Sequence, residues 1–182
     1  MDQRDYSSMT PPLLARLDAR DRALFARLAL DARRTHPLRG LWTAITHCGG
    51  ARGSIVICIV STLAPQVTPS IAGRALLLLG LSHVVVQIVK RFAVRDRPTV
   101  RMSLQAMIRV PDRFSFPSGH ACAAMTVAAV YAWYFPMWAV PLLALAVLAG
   151  LSRVVLGVHY PGDVVVGQAI AVVTTFGMLA VW

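Results

Sequence analysis

PSGHACAAMTVAAVYAWYFPMWAVPLLALAVLAGLS, residues 117–152, contains no Asp, Glu, Lys or Arg. Its uncharged run from Ala121 to Ser152 is longer than the roughly 20 residues that one membrane helix needs. Pro136 and Pro141 divide it, because proline ends or kinks a helix. The stretch therefore predicts two apolar helices in succession, the first opened by the polar turn Pro117-Ser118-Gly119-His120. A titratable histidine at the mouth of such a helix must find a polar partner.

The same pattern extends along the chain. Gly53–Gly73, Ala75–Val89 and the run from Val164 to Trp182 also lack charge. We expect an all-α, polytopic transmembrane bundle of about five spans, or six. The five lie near residues 51–68, 71–91, 119–135, 137–155 and 162–182. Of the 182 residues, 57% are hydrophobic and only 14% charged, a composition of the membrane class. All acids are Asp, and Lys90 is the single lysine among 18 basic residues, giving a net charge of +10. The charges fall between apolar runs, which points away from nucleic acid and towards an anionic lipid surface or a phosphorylated substrate. Cys48, Cys58 and Cys122 lie in or beside apolar segments and read as small apolar residues with no disulfide framework.

Two regions are expected: a basic N-terminal segment, residues 1–38, and a membrane-embedded domain, residues 39–182. The first 14 residues, MDQRDYSSMTPPLL, have no signal-peptide core. In residues 12–34, Leu14, Leu17, Leu24, Phe25 and Leu28 recur at roughly helical spacing, with arginines on the other face. Such an amphipathic helix lies on the membrane surface or packs against the protein's own end. With five alternating spans, the N-terminus, the 90–118 loop and the 153–163 turn share one face. Setting aside Lys90, Arg97 and Arg153, that face keeps fourteen basic residues against Arg74 alone on the other. The positive-inside rule puts it in the cytoplasm, in what would be a bacterial inner membrane. Trp42, Trp133, Trp138, Trp182, Tyr131, Tyr134 and Tyr160 fall mostly near span ends, as aromatic belts do.

Three clusters sit at the span mouths of that face. In KRFAVRDRP, Lys90 stands seven residues before Arg97, nearly two helical turns. Arg97 precedes Pro98 and is biased to extended backbone, so both cations can converge on an anion. They can equally be basic side chains snorkelling at a membrane edge. In Pro117-Ser118-Gly119-His120, Ser is a good N-cap and the helix start offers free N–H groups to an anion, though an ordinary capped helix reads the same way. In SRVVLGVHYPGD, Pro161 suits a first helical turn and Asp163 follows His159 by four residues. A carboxylate there fixes the histidine tautomer and leaves the other ring nitrogen as a nucleophile. A capping Asp and an interfacial His are the plain alternative. The three clusters together, with three cations, two histidines and an Asp on one side, favour a catalytic site. His36 lies near the surface helix, and His47 and His83, in or near apolar segments, read as packed or polar-paired residues.

These three stretches resemble, in order and spacing, the three-part signature of the type 2 phosphatidic acid phosphatase superfamily. Every specified position is present between residues 90 and 163, and the hydrophobicity fits the membrane branch of that family. The resemblance implies that His159 is the nucleophile, forming a phosphohistidine, and that Asp163 orients it. It implies that His120 protonates the leaving alcohol and then activates water. Lys90, Arg97, Ser118, the Gly119 backbone and Arg153 would hold the phosphoryl oxygens, with no metal or other cofactor. The chain has fewer apparent spans and a shorter Arg97–Pro117 loop than many relatives. It looks in this like smaller members acting on polyprenyl or isoprenoid phosphates.

The expected activity is metal-independent hydrolysis of a lipid phosphomonoester or diphosphate reached from the bilayer. Undecaprenyl diphosphate, phosphatidic acid, phosphatidylglycerophosphate and a polyprenyl-phosphosugar phosphate are the candidates. A lipid phosphotransferase with the same intermediate, or a non-catalytic lipid-phosphate binding or transport protein, are the alternatives.

Overall fold

The structure is a computed structural model of the chain and describes residues 12–30, 36–93, 95–101, 106–108 and 114–182. Its helices are α1 (Pro12–Leu28), α2 (Arg39–Gly49), α3 (Ala51–Ser61), α4 (Pro69–Phe92), α5 (Pro98–Arg101), α6 (Gly119–Tyr134), α7 (Ala139–Val155) and α8 (Pro161–Leu179). A 3₁₀ turn, Pro136–Trp138, leads into α7. The described residues form no strand, only an isolated bridge between Asp96 and Phe114.

Helix α6 is the axis of the bundle. It packs on α4, α7 and α8, and also touches α2 and α3. Ala121, Ala123, Ala128, Ala129 and Ala132 are buried along it, and such small side chains let helix backbones approach closely. Larger groups from α6 and its partners fill the space around them. Leu78, Leu79 and Val130 join Cys58 and Leu179 in one cluster, while Val86, Met125 and Ala171 form a second.

The outside of the bundle is apolar as well. Val56, Ile59, Val60, Leu77, Val84, Val140, Leu145, Val165 and Val173 are all at least half exposed. Water does not tolerate so large a continuous apolar surface, but lipid does. Among the described residues, three helices are long and apolar enough to cross a membrane: Pro69–Phe92, Pro136–Val155 and Pro161–Leu179. Counting the bent pair α2 and α3 as one span makes four. The chain is a helical membrane protein.

Two features differ from the sequence reading. The first span, expected over 51–68, is helical only to Ser61 and continues as turns. At its other end α2 meets α3 at a 67° bend, where Gly50 leaves the helical region with ψ 165°. Helix α6 has 16 residues, about 24 Å of rise, short of the roughly 30 Å hydrocarbon core.

In α1, Phe25 points inward and is fully buried against Ala121, Val154, Tyr160 and Val164. Leu24 and Leu28 stay about half exposed. The helix is therefore packed on the protein's own end through Phe25. The side chains of Leu14 and Leu17, and residues 31–34 of the expected helix, lie outside the described residues.

Candidate active site

The turns that connect the helices gather at one end. The C-terminal turn of α4, the N-terminus of α6, the C-terminus of α7 and the N-terminus of α8 meet there, with α1 laid across them. Backbone hydrogen bonds tie these segments together. The Ser118 N–H donates to the Asp163 carbonyl at 2.9 Å, Ser115 N–H to the Arg95 carbonyl at 2.8 Å, and Leu30 N–H to the Val155 carbonyl at 2.9 Å. Gly167 of α8 lies against the Ser118 backbone, and a Cβ there would collide with the Ser118 carbonyl oxygen. Only glycine permits this approach, which brings the start of α6 beside the start of α8.

His159 stands in the loop between α7 and α8 and is 2% exposed. Asp163, in the first turn of α8, is fully buried. Arg97 reaches in from the extended segment before α5 and is also buried. Its Nη1 donates to the Val158 carbonyl at 2.7 Å and lies 3.2 Å from His159 Nε2. A guanidinium can only donate, so Nε2 is the accepting nitrogen and the ring proton sits on Nδ1. Nδ1 faces Asp163 Oδ2 at 3.6 Å, too long for a hydrogen bond but close enough for the carboxylate to act on the ring.

Asp163 is held from both sides. Oδ2 accepts from the Tyr160 N–H at 2.9 Å, which caps α8, and Oδ1 accepts from Arg95 Nη1 at 2.7 Å. Burial pushes the His159 imidazole down to about 4. Arg97 and Arg153 reinforce that shift and Asp163 opposes it. At neutral pH the ring is uncharged, with a lone pair on Nε2.

Arg153, near the end of α7, is buried and donates to Thr46 Oγ1 of α2 at 2.8 Å. His120 occupies the first turn of α6, within electrostatic reach of the Arg153 and Arg97 guanidinium groups. Its ring packs against the α2–α3 bend: a Cβ on Gly50 would stand 2.9 Å from His120 Nε2. Ser118 is the buried N-cap of α6, its Oγ 3.5 Å from the Ala121 N–H, and Gly119 is the first helical residue. Lys90 sits half-buried on the last turn of α4.

The structure thus brings His159, Asp163, Arg97, Arg153 and His120 to one centre, with Ser118 and Gly119 at its edge and Lys90 on the helix end beside it. Sequence reasoning missed Arg95, Thr46 and the two glycines. Arg95 lies inside the quoted stretch KRFAVRDRP, so a second basic residue two positions before Arg97 was a usable signal. Thr46 and Gly50 belong to no motif, and only the bend of α2 onto α6 makes them neighbours.

The class this defines is a helical membrane protein with a buried histidine–carboxylate pair ringed by arginines at one end of the bundle. The chain belongs to the PAP2 superfamily, whose family model matches residues 71–182. It is 41% identical over 88 residues to a decaprenylphosphoryl-5-phosphoribose phosphatase of Mycolicibacterium smegmatis, covering 48% of this chain and 47% of that one. It is 44% identical over 55 residues to a lipid A 1-phosphatase of Rhizobium etli, covering 30% and 24%. The match to phosphatidylglycerophosphatase B of Bacillus subtilis is 34% over 113 residues, covering 56% and 53%. The chain thus spans about half the length, or less, of these curated relatives. The crystal structure of Aquifex aeolicus LpxE superposes with a TM-score of 0.73 at 25% identity, covering 87% of this chain and 93% of that one. A transmembrane PAP2-type phosphatidylglycerolphosphate phosphatase from Bacillus subtilis superposes with a TM-score of 0.70 at 23% identity, covering 96% and 88%, and shares the fold.

Proposed function

We propose that the protein is a membrane phosphatase that hydrolyses a phosphomonoester or diphosphate of a lipid through a phosphohistidine. The observation that carries this reading is the arrangement at His159: Nε2 is turned to the Arg97 guanidinium while Nδ1 faces the buried Asp163 carboxylate. A nucleophile needs its lone pair where the anion is held and its proton where a carboxylate can balance the positive charge that develops.

In the first step Nε2 attacks phosphorus, the ester P–O bond breaks, and His120, which takes up a proton when the phosphate anion binds beside it, gives that proton to the departing oxygen. The phosphorylated ring becomes cationic, and Asp163 stabilises it. In the second step His120, now neutral, takes a proton from water. The resulting hydroxide attacks phosphorus, the P–N bond breaks, and His159 returns to its starting tautomer. Arg97, Arg153, Lys90, Ser118 and the Gly119 N–H hold the phosphoryl oxygens, and the start of α6 adds its dipole. In-line phosphoryl transfer rests on positioning and charge stabilisation, which these groups provide without a metal.

The lipid part of the proposal rests on a second feature. A cavity of about 430 Å³, walled almost wholly by apolar atoms, lies among α2, α3, α6 and α7. Its lining includes Cys48, Gly49, Ile57, Ala124 and Leu145. Gly49 adjoins the glycine that abuts His120, and Ala124 is one helical turn below His120. A second apolar cavity of about 230 Å³ shares Ile57, Tyr131 and Leu142 with it and reaches Phe135. From Ala124 to Phe135 the path along α6 is about 16 Å. It starts at the reacting end and suits the hydrocarbon chain of a substrate. We rank a polyprenyl-phosphosugar phosphate ahead of undecaprenyl diphosphate, phosphatidic acid and phosphatidylglycerophosphate as the substrate, a choice that the name of the Mycolicibacterium smegmatis relative supports.

We further propose residues 39–182 as the membrane phosphatase domain, with five passes made by the α2–α3 pair, α4, α6, α7 and α8. The reacting end then faces the cytoplasm, by the arginine excess at that end. Purified wild-type protein should release phosphate from one or more members of a panel of lipid mono- and diphosphates, and His159→Ala should release none. Phosphate release by His159→Ala at the wild-type rate would overturn the reading. Adding an acceptor lipid tests transfer: a phosphorylated acceptor formed in place of free phosphate would mark a phosphotransferase.

A further inference from the structure

The basic residue that touches Asp163 belongs to none of the motif positions, and the helix that holds it lies outside the matched family residues 71–182. Arg95 Nη1 stands 2.7 Å from Asp163 Oδ1. Its Nη2 stands 2.8 Å from both Asp18 Oδ1 and Asp21 Oδ2 of α1. The guanidinium also lies over the Tyr160 ring, 4.1 Å from its centroid. Arg95 is thus clamped between α1 and the start of α8. Two more contacts fasten α1 there. Asp21 Oδ1 accepts the Gly162 N–H at 2.8 Å, and Phe25 meets Tyr160 edge-on at 5.4 Å.

Resting on the reading of His159 as nucleophile, we propose that Arg95 is a positioning residue for Asp163 and that α1 is the latch that keeps it in place. Asp163 must present Oδ2 to His159 Nδ1. The Tyr160 N–H fixes Oδ2 and Arg95 fixes Oδ1, so the plane of the carboxylate is set by two bonds from different segments. Arg95 also supplies the counter-charge for a fully buried carboxylate. Its own side chain is 20% exposed and long, so without Asp18 and Asp21 it would sample many rotamers. The two aspartates remove that freedom before the substrate arrives, and such preorganisation speeds the chemical step more than it tightens binding. The N-terminal segment is then part of the machinery, and a partner or modification that pulls α1 away would slow the reaction.

The test compares full-length wild type with Arg95→Ala, with Asp18→Asn/Asp21→Asn, and with the triple variant. kcat, KM and melting temperature are measured on the best lipid phosphate of the panel. Arg95→Ala should lower kcat by about tenfold or more, the size expected when a charge-assisted hydrogen bond is lost, with KM within about twofold. The aspartate pair should lower kcat in the same direction, and the triple variant should be no slower than Arg95→Ala, because the aspartates act through the arginine. The double variant leaves Arg95 and the core in place, so it remains informative if Arg95→Ala does not fold. Wild-type kcat in the double variant, losses that multiply in the triple, or a fall in melting temperature with kcat unchanged would each overturn the proposal. His159→Ala serves as the separate control: if it is inactive while these variants keep wild-type kcat, the latch fails and the phosphatase reading stands.

Discussion

At the scale of single residues, the chemistry turns on which nitrogen of His159 carries the proton. Arg97 on Nε2 and the carboxylate opposite Nδ1 select one tautomer. Burial then keeps the ring neutral well below its ordinary range, with its midpoint near 4. In ¹⁵N NMR of the substrate-free protein, His159 should remain neutral with its proton on Nδ1 at about pH 5.5, where a free imidazole is mostly charged. A midpoint near 6.5 would show that the ring is not buried as described. The same depression has a sign for stability. The unfolded chain binds the proton first, so this contribution is complete above the unfolded value and is lost as pH falls towards about 4. The meeting of His159, Asp163 and Arg97 was legible in the sequence because the three stand at short, ordered spacings in the quoted stretches. Arg95 was not, since an arginine in a basic stretch looks like any membrane-edge charge until Asp18, Asp21 and Asp163 are seen around it.

At the scale of elements, close helix contacts fix the site and the apolar path leading from it. Gly167→Ala would drive a methyl group into the Ser118 backbone and prise α8 from the start of α6. It should destabilise the protein by about 1–3 kcal/mol, read from thermal unfolding in detergent. An unchanged melting temperature would mean that the contact is looser than described. The path between α3 and α7 makes a different prediction. Cys48→Trp, at an exposed lining position, should fill the cavity. Losing about two buried methylenes of substrate chain at ~0.8 kcal/mol each should raise KM about tenfold for a long-chain lipid phosphate. A short-chain soluble phosphate should be unaffected, and equal effects on both would dissociate the cavity from the lipid tail. Uncharged runs and prolines announced α4, α7 and α8. The early end of α3 and the bend at Gly50 were hidden, because apolar content is the same in a helix and in a turn that lipid or protein covers.

At the scale of the whole molecule, an apolar bundle carries its polar chemistry at one end, where the arginine-rich segments also lie. Impermeant labelling of intact cells, using single cysteines placed within residues 99–112, should give little signal if that end is cytoplasmic, and strong labelling from outside would reverse the orientation. Phosphate release in EDTA should match release without it, since arginines and a lysine supply the positive charge; a complete loss would require a metal. The helical class was readable from composition, while the docking of α1 on the reacting end was not. Phe25 could face lipid or protein by periodicity alone, and only its partner Tyr160 decides between them. The central claim is that the phosphoryl group passes through His159. The most direct measurement is a rapid alkaline quench of the reaction with ³²P-labelled lipid, followed by mapping of the labelled peptide. An acid-labile, alkali-stable phosphate should appear on His159 and be absent from His159→Ala. Active enzyme bearing no such label, or label on another residue, would contradict it.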